Sequence, residues 1–154
     1  MFDLIGGLPV HPLVVHAVVV LLPLAVLGTI AIAVRPAWRR RYGVLVLAVT
    51  AVATVLIPVA TSSGEALEKH VGDPGQHAEL GDQLIWFAIP LLVLVAALVL
   101  LDRRPRSTGP AWLPTLVATL AVVASLASAV QVYRVGDSGA RAAWGDQVTS
   151  SSGG

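Results

Sequence analysis

The sequence predicts an all-α integral membrane protein, a bundle of four transmembrane helices with both termini outside the cytoplasm. Of the 154 residues, 56% are apolar and 12% are charged, whereas a soluble domain carries about 25% charged residues. Asp, Glu, Lys, Arg and His are absent from four runs, residues 17–34, 43–60, 84–101 and 111–130. Each run has about 18 to 20 residues, the length that crosses a hydrocarbon core of roughly 30 Å. The chain is therefore expected to lie in a lipid bilayer.

Prolines and capping residues set the expected helix boundaries. Four long helices are predicted at residues 12–34, 42–60, 74–101 and 111–133. Ser62 and Glu65 form a capping box that predicts a short outer helix over residues 65–71. The Ser- and Gly-rich tail 149–154 is predicted to be disordered, which leaves residues 1–148 as a single membrane domain.

Arginine residues predict the orientation of the helices. Seven of the ten basic residues lie in the loops 35–41 and 103–106. Because short cytoplasmic loops are enriched in Lys and Arg, both termini and the central loop are expected on the outer side. Trp38, Tyr42 and Trp112 fall at the inner helix ends, as expected of aromatic residues at a membrane interface.

Composition also excludes several classes of function. The chain has no cysteine, so disulfides, thioether-linked haem and cysteine-bound iron-sulphur clusters are excluded. A net charge of +1 gives no basic surface for nucleic acid. No metalloprotease, dinucleotide or phosphate-loop motif is present, and no catalytic residue is identified.

Histidines are the most informative polar residues, because all four lie on the predicted outer side. Five helical residues rotate by about 140°, so His11 and His16 share a face only if His11 is a cap or loop residue before Pro12. With His11 outside the helix, the pair can converge above it, and His77 lies at nearly the same height as His11 by helical rise. A cluster of His11, His16 and His77 is predicted, with His70 on the surface.

Three interpretations of this cluster remain open. Neutral imidazoles bind divalent metals or a haem iron, such as that of haem b. Alternatively, the histidines hydrogen-bond to backbone, water or carboxylates, with Glu68 and Glu79 as candidate partners. Proton or pH sensing is the third interpretation.

A glycine-rich segment follows the fourth predicted helix. Gly-Asp-Ser-Gly resembles the nucleophile segment of trypsin-like proteases, but that fold is all-β and needs its own buried Asp. Gly136 is instead expected to end the helix and Asp137 to cap it. Ser138 and Gly139 then turn the chain over the outer face, where they support the histidine cluster.

Three motifs together resemble a known family. They are His11-Pro-Leu-Val-Val-His16, His77 followed by Gly81, and Gly136-Asp-Ser-Gly-Ala140. Over residues 7 to 145 the chain resembles the bacterial membrane family catalogued as domain of unknown function 2231. The resemblance implies a multi-pass protein of the bacterial cytoplasmic (inner) membrane. In that family the position of Asp137 is often histidine, and some members are joined to cytochrome-like or Rieske-type domains, which implies a redox setting.

The leading functional hypothesis is a histidine-lined extracytoplasmic site that binds haem or a divalent metal. The alternative is a non-catalytic module that docks a redox or envelope partner through residues 61–83 and 134–148. A small transporter is the third hypothesis. It ranks below the other two because transport sites usually contain ionisable residues at mid-membrane and the predicted spans have none there.

Overall fold

The described residues form four long helices, as predicted. The computed structural model describes residues 4–5, 8–71, 75–104 and 109–151, with side chains for 11–66, 75–104 and 109–141. Two short strands, β1 (Leu4–Ile5) and β2 (Leu8–Pro9), pair antiparallel before the first helix. The helices are α1 (Val10–Val34), α2 (Pro36–Val71), α3 (Gln76–Arg103) and α4 (Leu113–Ser151). All four are long and apolar enough to cross a membrane.

The helices form a closed ring. Each helix packs against the next one along the chain, and α4 packs back against α1, so α1 and α3 lie on a diagonal with little contact. Leu22, Ile57, Leu91 and Val95 are fully buried in the centre. Four helices of this length, antiparallel and joined by short connections, therefore share one core along the bundle axis.

Large apolar side chains also cover the outside of the bundle. Val20, Leu27, Val55, Val93 and Val130 are each at least 60% exposed. Such an apolar surface on every helix is costly in water and is the expected surface of a protein solvated by lipid.

Small polar residues allow close helix contacts within the bundle. Thr29, Thr50 and Ser125 are fully buried, and each donates its hydroxyl to a carbonyl four residues earlier at 2.7 Å. Along α4, Ala121, Ser125 and Ser128 are buried, whereas Ala129, four residues after Ser125, is exposed. The helical period of 3.6 residues explains this difference.

The connection between α1 and α2 is a single residue, Arg35. The second helix begins at Pro36 rather than at residue 42, because proline fits a first helical position. Arg39 caps α1 by donating Nε to the Ile32 carbonyl at 3.0 Å and Nη2 to the Ala33 carbonyl at 3.1 Å. We call this end of the bundle the arginine end, and the opposite end, where α1 and α3 begin, the histidine end.

The predicted break in the second helix is wrong. Instead of ending at residue 60 with a separate helix over 65–71, α2 continues to Val71. The hydroxyl expected to cap a new helix bonds backwards, because Ser62 Oγ donates to the Pro58 carbonyl at 2.7 Å. The neighbouring Ser63 Oγ likewise donates to the Ala60 carbonyl at 2.9 Å. Side chains that satisfy carbonyls inside a helix are compatible with its continuation.

The predicted turn over residues 136–139 is also wrong, because α4 continues from Leu113 to Ser151 rather than ending at residue 133. Among the described glycines only Gly75 and Gly109 have positive φ, so Gly136 and Gly139 do not adopt the left-handed conformation that ends helices. Arg141 Nε donates to Asp137 Oδ2 at 2.9 Å, an i,i+4 pair that favours the helix. The helix also replaces the disordered tail at residues 149–151, and residues 152–154 lie outside the described residues.

Both helix starts at the histidine end lie close to their predicted positions. The α3 helix begins at Gln76 and is regular through residue 83, whereas Pro74, the predicted start, lies outside the described residues. The α1 helix begins at Val10, two residues before Pro12, and this places His11 inside the helix.

Candidate functional site

A cavity of about 280 Å³ lies at the histidine end, bounded by residues from all four helices. His11 from α1 and His77 from α3 both line it, so the two histidines come from the diagonal helices. Most of its wall is apolar: Val15, Val18, Val19, Ile57, Ala60, Ala78, Leu84, Val132 and Val135. Cavities inside helix bundles that are lined from facing helices are typical binding sites.

The His11 ring is held by the backbone of α2. Its Nδ1 lies 3.0 Å from the Ala60 carbonyl oxygen and 3.2 Å from Ser63 Oγ. Because a carbonyl oxygen can only accept, Nδ1 carries the proton in this hydrogen bond. In the neutral ring Nε2 then keeps its lone pair and is free to bind a ligand.

The His77 ring is held in the same way by α4. Its Nδ1 lies 3.2 Å from the Val135 carbonyl oxygen and 3.3 Å from Ser138 Oγ. Ser138 donates to the Val135 carbonyl at 2.9 Å, as Ser63 does to the Ala60 carbonyl. Both rings therefore have the same tautomer, fixed in each case by one carbonyl and one serine hydroxyl.

A glycine lies under each ring. A Cβ added at Gly64 would lie 3.0 Å from His11 Cε1, and one added at Gly139 would lie 2.9 Å from His77 Cε1. Each ring can approach its helix closely only because the residue after the serine has no side chain. Sequence reasoning missed Ser63 and Gly64, although the Ser-Gly pair recurs at Ser138 and Gly139.

His16 does not join the other two histidines, so the predicted cluster of three is wrong. It is exposed, and its Nδ1 donates to the Pro12 carbonyl of its own helix. Since His11 is itself helical, the five-residue spacing turns the two side chains about 140° apart. No group of three or more His, Asp or Glu side chains able to hold a metal ion occurs in the part of the chain that the structure describes.

The carboxylates near the cavity differ from those expected. Glu79 is exposed and makes no hydrogen bond to a histidine within the described side chains, and the side chains of Glu68 and His70 lie outside them. Glu65 and Asp82 line the cavity instead. They give the cavity wall negative charge, and no Lys or Arg of the described residues lines it.

Four apolar spans and a lipid-facing apolar surface define a polytopic integral membrane protein. More particularly, the chain belongs to the family described as Predicted membrane protein (DUF2231), which matches residues 7–152. The family resemblance seen in the three sequence motifs is thereby confirmed. No curated protein and no solved structure matches the chain significantly.

Proposed function

We propose that this membrane protein binds a haem at the histidine end, where His11 and His77 would hold the iron. The observation that supports it is the pair of imidazoles on one apolar cavity, each with Nδ1 bonded to a carbonyl and Nε2 left free. Histidine ligands of metals almost always donate their other ring nitrogen to a carbonyl or carboxylate.

The number of available ligands favours haem over a bare divalent metal. A bare metal site needs three or four protein ligands, and the described residues contain no such group. A haem iron takes its equatorial nitrogens from the macrocycle and needs only one or two axial side chains. When bound, a haem supplies reversible one-electron chemistry. The chain would hold the iron from diagonal helices and exclude water with the cavity's apolar side chains.

The volume of the cavity favours a second candidate, a small apolar molecule with hydroxyl groups, such as a quinol. About 280 Å³ is near the lower end of ligand-pocket volumes, so a small molecule would fill the cavity, whereas a haem would extend beyond it. The Nε2 atoms of His11 and His77 can accept hydrogen bonds from two hydroxyls, while Glu65 and Asp82 lie within the same wall.

Absorption spectroscopy separates these candidates. The protein is purified from haem-replete cells, and the haem-free form is titrated with haemin in detergent. Wild type is expected to show a bis-histidine spectrum that both His11→Ala and His77→Ala lose. His16→Ala is the matched control, because His16 lies on the same helix as His11 but faces away from the cavity.

Two outcomes reject the haem proposal: a wild type that takes up no haemin, or an equal loss in His16→Ala. In the first case, titration with a short-chain quinol tests the second candidate. Binding that depends on His11 and His77 supports it, and binding that survives both substitutions rejects it.

We further propose that the histidine end faces the extracytoplasmic side, as the arginine distribution predicts. The chain has no cysteine, so single cysteines report topology directly. An impermeant maleimide should label Ser62→Cys in intact cells and Ala37→Cys only after permeabilisation, since both positions are exposed at opposite ends of α2. The reverse pattern would invert the topology. Docking of a redox or envelope partner through residues 61–83 and 134–148 stays a prediction.

A further inference from the structure

A second cavity, of about 560 Å³, lies at the arginine end. Its charged lining consists of Arg39, Arg40 and Arg104 with one carboxylate, Asp102. Three guanidinium groups against one carboxylate make this a cationic site. It lies at the opposite end of the bundle from the histidine cavity and does not depend on what that cavity binds.

The arginines of this region divide into engaged and available groups. The guanidinium of Arg35 lies 4.8 Å from the Trp38 ring centroid and that of Arg41 lies 5.3 Å from the Tyr42 centroid, both cation-π contacts. Neither lines the cavity. Arg40 and Arg104 do line it, and their side chains make no hydrogen bond to a described residue.

Arg39 forms the fixed part of the cavity wall. It is only 8% exposed, and its Nε and Nη2 are used to cap α1. Its Nη1 makes no hydrogen bond to a described residue, and no described polar atom is both buried and unpaired. Nη1 is therefore not completely buried, and the cap holds the side chain in place at the cavity wall.

The position of the cavity indicates where its ligand comes from. Trp38, Tyr42 and Trp112 are exposed around this end of the bundle, and such aromatic residues lie at the level of lipid headgroups. The first residues of α2 and α4, Pro36 and Leu113, also line the cavity. Helix N-termini favour anions. Basic pockets between transmembrane helices bind anionic headgroups.

We infer that the cavity at the arginine end binds a phosphate group, supplied by the headgroup of an anionic phospholipid. Arg40 and Arg104 would provide movable guanidinium donors, and Arg39 a fixed one. Guanidinium groups suit this ligand because their planar set of N-H donors matches phosphate oxygens.

Lipid retention tests the inference. The purified protein is exchanged into mixed micelles of phosphatidylglycerol and phosphatidylcholine, and bound lipid is quantified by native mass spectrometry. Wild type should retain phosphatidylglycerol preferentially. Arg40→Gln combined with Arg104→Gln should weaken that preference by roughly thirtyfold, since each basic residue near an anionic lipid contributes a factor of about five and the two factors multiply. Arg41→Gln is the matched control, an adjacent arginine that stacks on Tyr42 instead.

Equal retention of the two lipids, or an equal loss in Arg41→Gln, would overturn a lipid-headgroup site. Inorganic phosphate, titrated into lipid-free protein by calorimetry, separates the sources. Phosphate binding that needs Arg40 and Arg104, without phosphatidylglycerol retention, would assign the site to soluble phosphate. Binding of neither ligand would reject the phosphate site altogether. Thermal unfolding of each variant checks the fold, which should persist because Arg40 and Arg104 are exposed.

Discussion

The hairpin α1–α2 and the hairpin α3–α4 differ in how their helices are held together. In the first, one residue connects the helices and Arg39 caps α1 from α2. In the second, side chains of α4 bond across to α3: Gln131 Nε2 donates to the Leu80 carbonyl at 3.0 Å and Ser128 Oγ to the Phe87 carbonyl at 3.3 Å. Different side-chain hydrogen bonds therefore hold the helices of each hairpin together.

Among the described residues, the two hairpins share the contact by which each one holds its histidine. His11 on Ser63 and Gly64 repeats as His77 on Ser138 and Gly139, with equivalent donors, acceptors and close approach. Packing alone does not require such a repeat, since the other interhelical hydrogen bonds of the two hairpins differ. The shared contact is the part of the molecule that a common ligand would constrain.

The largest expected effect comes from filling the space under one ring. Gly139→Ala places a Cβ 2.9 Å from His77 Cε1, so the ring must shift away from α4, which should lengthen its Nδ1 bonds. Ligand affinity at the histidine end should fall by roughly tenfold or more. Gly136→Ala is the control, because nothing lies within 4 Å of its added Cβ. Equal effects of the two substitutions on ligand affinity would show that the space at Gly139 is not needed for binding.

A second substitution tests packing that belongs to the first hairpin alone. A Cβ at Gly28 would lie 2.9 Å from Val46 Cγ2, so Gly28→Ala should lower the free energy of unfolding by about 1 to 3 kcal/mol. Denaturant unfolding in detergent measures this value. Adding Val46→Ala removes the opposing methyl groups, so the double variant should lose less free energy of unfolding than the sum of the two single losses. A loss equal to that sum would show that the helices do not meet at this pair.

The counterpart in the second hairpin is the buried amide of Gln131, which is 1% exposed. Gln131→Leu removes its bond to the Leu80 carbonyl and should cost about 1 kcal/mol, the usual range for a hydrogen bond between membrane helices. Gln83→Leu serves as the control, since Gln83 is exposed on α3. A cost for Gln83→Leu as large as that for Gln131→Leu would show that the bond is not responsible.

The smallest expected effect tests whether the two histidine contacts are equivalent. Ser63→Ala and Ser138→Ala each remove one hydroxyl near Nδ1 but leave the carbonyl in place. Each should weaken ligand binding by roughly two- to fivefold. Ser62→Ala, whose hydroxyl bonds to the Pro58 carbonyl instead, should have no effect. Clearly unequal effects at Ser63 and Ser138 would break the equivalence of the hairpins.

The membrane spans could be predicted from the sequence, but several helix ends could not. Long runs without charged residues indicate segments that lie in the bilayer, since a charge in lipid is costly. Helix ends depend on competing local choices: the hydroxyls of Ser62 and Ser63 can cap a new helix or bond backwards, and the sequence is compatible with both. In the structure they bond backwards, and α2 continues.

The same limit applied to the site. His11 and His77 are evident from their position at the starts of α1 and α3, but the place of His16 depended on whether Pro12 keeps His11 out of the helix. The partners of each ring, Ser63 and Ser138, lie 52 and 61 residues away. Which residue of one helix meets which residue of another depends on their register in the bundle, and hydropathy does not specify register.

The continuation of α2 and α4 past the histidine contacts determines which molecules can reach His11 and His77. The α2 helix extends eight residues beyond Ser63 to Val71, and α4 extends thirteen beyond Ser138 to Ser151. At 1.5 Å per residue these extensions are about 12 and 20 Å long. A broad soluble protein that rests on the helix ends is therefore held at that distance from His11 and His77. Direct contact is reserved for a narrow molecule that enters between the helices.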